Sequence, residues 1–272
     1  MSFNDKVVVI TGAGSGIGRA LAENLAGKGA KLALSDIDEV GLAETVRRCH
    51  ALGVEIKSDR LDVSAREAVL AYAAAVHAHF GKVDQIYNNA GVAHHGDVET
   101  TEFKDFERVM DIDFWGVVNG TKAFLPYLIE SGDGHVVNVS GLSGLIAFPG
   151  QSAYNSAKFA VRGFSEALRQ EMLIEKKPVK ATCVHPGFIK TAVARNATMS
   201  AGLDHNSLAE VFDNQLAIHS PEMAAETIVH GVRKGHGRVL IGWEAEALDL
   251  LARVTASGYQ RVVALGTGRF LK

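Results

Sequence analysis

Cysteine is almost missing from this chain. Cys49 and Cys183 are the only two in 272 residues, and neither stands in a CxxC or other metal-type spacing. Two isolated thiols make neither a disulfide framework nor a zinc module; they read as small apolar packing residues in a reducing compartment. Long apolar runs are lacking too, so no segment reads as a bilayer span. The opening residues, MSFNDKVVVITG, have no extended apolar stretch of the secretory kind. The expected location is cytoplasmic. Neither sign of charge dominates: 28 Lys and Arg against 31 Asp and Glu leave a formal net charge of −3. That balance gives no electrostatic case for nucleic acid or an anionic membrane as partner. Prolines number five against 28 glycines, a pattern of tight turns rather than disorder. No repeat, low-complexity tract or charged linker divides the chain, so one domain over 1–272 is expected.

What is present is an apolar share of 47% with 22% charged residues, enough to bury a sizeable core. Short apolar, β-branched runs alternate with helical periodicity. Strands are expected at 6–10, 31–35, 54–61, 83–88, 135–140, 179–185 and 238–241. Helices are expected at 19–28, 39–52, from a Ser64 cap to Phe80, 101–130, 152–176 and 244–265, and after the Ser220-Pro221 start signal. Strand–helix alternation implies crossover connections, hence a parallel sheet covered on both faces: an α/β, doubly wound fold of about seven strands. The less regular segment 191–220 mixes apolar residues (Val193, Met199, Leu203, Val211, Phe212, Leu216) with polar ones, and is expected to be a functional loop, a lid over the substrate.

Two motifs carry chemistry. TGAGSGIG (11–18) lies between a strand and a helix, where glycines permit a tight turn and bring a pyrophosphate against backbone N–H groups. Asp36 closes the next strand. A carboxylate there can accept from both adenosine ribose hydroxyls and would repel a 2′-phosphate; Ile37, not arginine, follows it, so NAD is expected over NADP. The second motif is Tyr154 and Lys158, four apart on one helical face. An ammonium one turn away favours the phenolate and should lower the tyrosine pKa, making a proton-transfer pair. His94 and His95 cannot share a face and lack a carboxylate partner, so a solvated loop is expected and no metal site is assigned. Arg19 is expected on the helix surface, and His185 to tune the turn before Pro186. No Ser-His-Asp order or nucleophile elbow is visible.

TGAGSGIG, Asp62-Val63, NNAG (88–91), Tyr154-xxx-Lys158 and Pro186-Gly187-Phe-Ile-Lys-Thr191 occur in the order and spacing of the short-chain dehydrogenase/reductase family. Over roughly residues 5–242 the chain resembles its soluble single-domain branch. The resemblance implies a Rossmann-type fold and hydride transfer between NAD and an alcohol or ketone substrate. It implies that Gly12, Ser15, Gly16, Ile17 and Gly18 line the pyrophosphate turn, with Asp36 and Ile37 beside the ribose. Asp62 would bond the adenine amino group, with Val63 beside the ring. Asn89, Ala90 and Gly91 would flank the adenosine ribose, while Pro186, Gly187, Ile189 and Thr191 hold the carboxamide side of the nicotinamide. Tyr154 would be the general acid–base and Lys158 would hold the nicotinamide ribose. A homodimer or homotetramer is implied, built on the 101–130 and 152–176 helices, with 243–272 as a C-terminal helical extension.

Two positions depart from that pattern. The family's serine, 13 residues before the tyrosine, is replaced by Gly141. Ser143 has the matching parity if the backbone stays extended, and Ser140 should face the other way. The family's asparagine before Phe-Trp-Gly is replaced by Asp113, which accepts hydrogen bonds but cannot donate when ionised. Its negative charge should favour charged Lys158 and oppose the Tyr154 phenolate. The expected activity is that of an NAD-dependent oxidoreductase, with attenuated turnover; the alternative is an NAD-binding protein with little catalysis.

Overall fold

The computed structural model describes residues 2–191, 193, 196–200 and 217–267. Strand β1 (Val7–Thr11) is buried at every position. Val8 and Ile10 pack with Leu21, Leu25, Ile228 and Val232 on one side of the sheet. Val9 packs with Val69, Phe124 and Leu128 on the other. Side chains alternate along a strand, so a strand buried on both faces must be apolar throughout, as VVVI is. Each fully buried side chain of this size contributes about 1.5–3 kcal/mol.

The elements alternate as the sequence suggests: α1 (Gly16–Ala26), β2 (Lys31–Asp36), α2 (Glu39–His50), β3 (Ile56–Arg60), α3 (Arg66–Phe80) and β4 (Gln85–Asn88). After a short β5 (His94–His95) come α4 (Phe103–Met110), a π-helical turn (Asp111–Trp115), α5 (Gly116–Glu130) and β6 (Gly134–Val139). A 3₁₀ turn (Leu142–Gly144) leads to α6 (Ser152–Ile174) and β7 (Val179–Pro186). Then follow β8 (Thr198–Met199), α7 (Pro221–Lys234), β9 (Arg238–Ile241), α8 (Trp243–Thr255) and α9 (Tyr259–Thr267). Seven strands form one parallel sheet in the order β3-β2-β1-β4-β6-β7-β9. The chain winds one way from β1 to β3 and the other way from β4 to β9. Ligands of open α/β sheets bind at that switch, beyond the carboxyl ends of β1 and β4.

Several local expectations give way. Ser64 does not cap α3; Ala65 holds the N-cap position, and Ser64 donates both its N–H and its hydroxyl to Asp62 Oδ1. A short Asx turn there competes with the cap. The helix expected over 101–130 is two α-helices joined by the π turn, a local widening that often marks functional sites. The helix expected over 244–265 breaks at Ala256 (φ 48°, ψ −119°) into α8 and α9. His94 is not in a solvated loop: it is buried, and β5 pairs in parallel with β8. Most of the 191–220 segment lies outside the described residues, so the expected lid, with Leu203, Val211, Phe212 and Leu216, is not covered. Cys49 and Cys183 are both free and buried.

Candidate active site

The first turn of α1 starts without a side-chain cap. Its first backbone bond runs from Arg19 N–H to Ser15 O; the N–H groups of Ser15, Gly16, Ile17 and Gly18 donate to no acceptor among the described residues. Uncapped N–H groups at a helix start are a donor set for an anion. The glycines are sterically required. A Cβ on Gly18 would sit 2.0 Å from Gly12 O and one on Gly12 (φ +65°) would sit 2.7 Å from Ala90 Cα. The turn is tied to β4 through Thr11, whose hydroxyl accepts from Asn89 N–H and Ala90 N–H, both at 3.1 Å. Asn89 Nδ2 donates to Thr11 O (3.0 Å) and Gly12 O (3.2 Å). Thr191 packs against Gly16 on the far side.

Asp36 stands at the carboxyl end of β2, its Oδ2 accepting from Gly14 N–H at 2.7 Å and Oδ1 from Asp38 N–H at 2.9 Å. Those two bonds fix the carboxylate over the turn and leave it acceptor capacity. Ile37 beside it is exposed, and Val63 is buried below Gly116. Arg19 corrects the surface expectation. It is partly buried, donating to Thr45 Oγ1 (2.9 Å) and to the carbonyls of Gly14 and Gly41 (the latter at 3.1 Å). Its charge braces the turn from behind.

Tyr154 and Lys158 sit in the first turns of α6. Lys158 Nζ lies 5.3 Å from the centre of the Tyr154 ring. It donates to Val139 O at 3.2 Å and forms an ion pair with Asp113 Oδ2 at 3.0 Å. Asp113, in the π turn, is fully buried, and its Oδ1 accepts from Val92 N–H at 2.8 Å. Gly91 leaves room for this pair: a Cβ there would lie 3.1 Å from Asp113 Oδ2 and 3.3 Å from Lys158 Nζ. Burial opposes the charge of Lys158, but Asp113 and Tyr154 together outweigh it and hold the ammonium above its ordinary range. Burial pushes the Asp113 carboxyl up, against the pull of Lys158 and the Val92 N–H. Tyr154 corrects the expected direction. Burial raises its pKa, and the opposing pull of Lys158 is weakened by Asp113, so the phenol stays protonated at neutral pH.

Gly141, just before the 3₁₀ turn, has φ 159° and ψ −177°, backbone that a residue with a side chain rarely adopts. The parity expectation for Ser143 fails because the chain enters the 3₁₀ turn rather than staying extended. Ser143 Oγ instead meets Gln151 Oε1 at 3.5 Å. Ser140 faces the other way, as expected, donating to Lys158 O at 2.8 Å. His185 does more than tune its turn: its Nδ1 lies 2.9 Å from Gly141 O. A carbonyl only accepts, so Nδ1 carries the proton. Burial depresses the His185 pKa to about 4, so the ring is neutral at pH 7.

β7 ends at Pro186, and the turn after it holds Gly187, Ile189 and Thr191. Sequence reasoning missed its anchor, Glu244. This buried carboxylate at the start of α8 accepts from Phe188 N–H at 3.0 Å and pairs with His219 Nε2 at 2.9 Å. A Cβ on Gly187 would fall 1.9 Å from Glu244 Oε1. His219 itself returns to the turn, its N–H donating to Phe188 O and its carbonyl accepting from Lys190 N–H. In sequence, Glu244 reads as an ordinary first-turn acid favouring the helix dipole. Nothing local signals that it is buried.

The site therefore joins an uncapped helix start, the Asp36 carboxylate at the end of β2, and a half-buried Tyr154 beside the buried Lys158–Asp113 pair, all at the carboxyl ends of the strands. The family profile described as short chain dehydrogenase matches residues 6–201. The chain is 69% identical over 269 residues to a Mycobacterium tuberculosis protein named "Putative oxidoreductase SadH", covering 99% of this chain and 98% of that one. It is 32% identical over 263 residues to estradiol 17-beta-dehydrogenase 11 of Homo sapiens, covering 96% and 83%. A solved short chain dehydrogenase/reductase from Burkholderia phymatum, in complex with NAD, superposes with a TM-score of 0.88 at 30% identity, covering 94% of this chain and 96% of that chain.

Proposed function

The chain belongs to the short chain dehydrogenase family, and from that premise we propose that it moves a hydride between NAD and the carbon of a secondary alcohol or ketone. The observation that carries this reading is a half-buried Tyr154 beside the buried Lys158–Asp113 pair, next to an uncapped glycine-rich helix start. The uncapped amides of 15–18, the Asp36 carboxylate and the small residues at Gly12 and Gly16 fit a dinucleotide. When bound, the nicotinamide supplies the hydride acceptor or donor.

The chain's own residues divide the remaining work. The α1 start holds the pyrophosphate, and Asp36 holds the adenosine ribose with Ile37 alongside. Asp62 and Val63 hold the adenine, and Asn89, Ala90 and Gly91 form the floor between the two halves. Pro186, Gly187, Ile189 and Thr191, braced by Glu244, hold the nicotinamide end. In alcohol oxidation Tyr154 Oη takes the hydroxyl proton as the carbon gives up its hydride; in carbonyl reduction Tyr154 gives that proton to the new alkoxide. Lys158 holds the ribose and supports the phenolate. A protonated phenol at neutral pH suits carbonyl reduction, and oxidation gains as the pH rises. Asp36 favours NAD over NADP by repulsion of a 2′-phosphate; a preference for NADPH in paired titrations would refute that role.

Similarity to estradiol 17-beta-dehydrogenase 11 supports a cyclic, partly apolar substrate. Exposed Phe103, Trp115 and Phe159 on the helices of the π-turn side support self-association through that face; sedimentation of Trp115→Glu beside the parent tests it. No helix among the described residues is long and apolar enough to cross a membrane. The reading is tested by NADH turnover with a panel of cyclic secondary alcohols and ketones, with Tyr154→Phe as the inactive control.

A further inference from the structure

Gly141 leaves a specific gap. A Cβ built on it would meet, beyond its own chain neighbours, only Ser143 N at 3.8 Å and Tyr154 Oη at 3.9 Å within 4 Å among the described residues. The space a serine side chain would fill is therefore bordered by the proton-transferring phenol and by a main-chain amide. The Ser143 N–H donates to no protein acceptor among the described residues. Neither nearby hydroxyl competes for the gap: Ser140 Oγ is spent on Lys158 O, and Ser143 Oγ is turned to Gln151.

The turn that carries this amide is held from behind. Gly141 O accepts from His185 Nδ1–H at 2.9 Å and from Gly144 N–H at 3.1 Å. Phe148 O accepts from Asn155 Nδ2 at 2.7 Å, and Phe148 N–H donates to Asn155 Oδ1 at 3.3 Å, closing the loop back onto α6. A donor fixed in this way needs no reorganisation when charge develops on an oxygen in front of it.

We infer that the substrate oxygen enters the gap at Gly141 and accepts two hydrogen bonds, one from Tyr154 Oη and one from the Ser143 main-chain N–H. The amide thus supplies the polarising donor that the missing serine hydroxyl would otherwise give. Gly141 is a specificity position because its lack of a side chain admits the oxygen. His185 is a positioning residue that fixes the carbonyl end of the turn. This inference deepens the proposed oxidoreductase reading and rests on it.

The experiment fills the gap without supplying a donor. Gly141→Ala and Gly141→Ser carry the same backbone strain at φ 159°, so the donor is read from their difference: Gly141→Ala should lower kcat/KM for a cyclic ketone by about 10²-fold while leaving NADH affinity unchanged, the scale for losing one oxyanion donor. Gly141→Ser brings its own hydroxyl and should stay well above Gly141→Ala. The second readout is the infrared carbonyl stretch of cyclohexanone bound with NAD⁺, which should shift down in the parent and return towards its free value in Gly141→Ala. An unchanged rate in Gly141→Ala overturns the inference while leaving the oxidoreductase standing. A Ser143→Ala rate that falls as far as Gly141→Ala assigns the role to the hydroxyl and also overturns it. If the parent binds NADH but turns over no substrate, the oxidoreductase reading fails, and an unshifted carbonyl band at saturating cyclohexanone then removes the donor as well.

Discussion

Lys158 Nζ and Asp113 Oδ2 stand 3.0 Å apart with both side chains buried. Where the resemblance led to an asparagine, this chain has a counter-ion in direct contact with Lys158. Burial raises the Tyr154 pKa first, and the negative charge of Asp113 adds to that rise against the pull of Lys158.

The first prediction concerns that pair. Asp113 raises the Tyr154 pKa, so removing its charge lowers it. In Asp113→Asn the rising limb of kcat/KM for alcohol oxidation moves to lower pH; a limb that stays or moves up contradicts the assignment. Asp113→Ala goes further and leaves a buried ammonium without its partner, which costs about 3–5 kcal/mol of stability. Denaturant unfolding reads that loss directly.

The second concerns acid. Burial depresses His135 to about 3 and His185 to about 4, from 6.5. The unfolded chain binds protons in that window and the folded chain does not, so the contribution is complete above about pH 6.5 and is lost as pH falls towards 4 and 3. For His185 the loss is on the order of 3 kcal/mol by then. Urea midpoints measured across the window should fall, and the fall should flatten in His135→Gln. A midpoint independent of pH there would contradict the buried neutral rings.

The third concerns Glu244. Its removal leaves Phe188 N–H and His219 without their acceptor beside the turn after β7. Glu244→Ala should weaken NADH binding by about tenfold, the equivalent of about 1.4 kcal/mol, with Asp36 and the α1 start untouched. Fluorescence titration measures this; unaltered affinity would confine Glu244 to holding α8.

The fourth concerns Gly18. A Cβ there meets Gly12 O at 2.0 Å and Asn89 Nδ2 at 2.7 Å, both part of the framework. Gly18→Ala should abolish NADH binding and lower the melting temperature, and full retention of both would show that the turn adapts.

Much of this was legible in the sequence because it is local. VVVI declares a strand buried on both faces, TGAGSGIG sits in its strand–turn–helix context, and Tyr154 and Lys158 share a face by spacing alone. What was not legible depends on contacts between distant segments. His94 is buried because Thr198 and Ser200 come back to its ring, at 2.9 and 3.3 Å. Arg19 is drawn inward by carbonyls of a turn and of α2. The π turn that aims Asp113 has no composition signature, and Ser143 lost its expected orientation to a 3₁₀ turn held by His185, 42 positions on. The direction of the Tyr154 pKa was missed for the same reason: spacing reveals the lysine but not the depth of burial.

NADH titration paired with turnover of cyclic ketones, in the parent and in Tyr154→Phe, decides whether Tyr154 is the acid–base group. Both proteins should bind NADH equally, while the loss of the phenolic proton lowers kcat by about 10²- to 10⁴-fold. Equal turnover in the two proteins, or tight NADH binding by the parent with no turnover of any ketone or alcohol, would contradict the assignment of this site as a dehydrogenase centre.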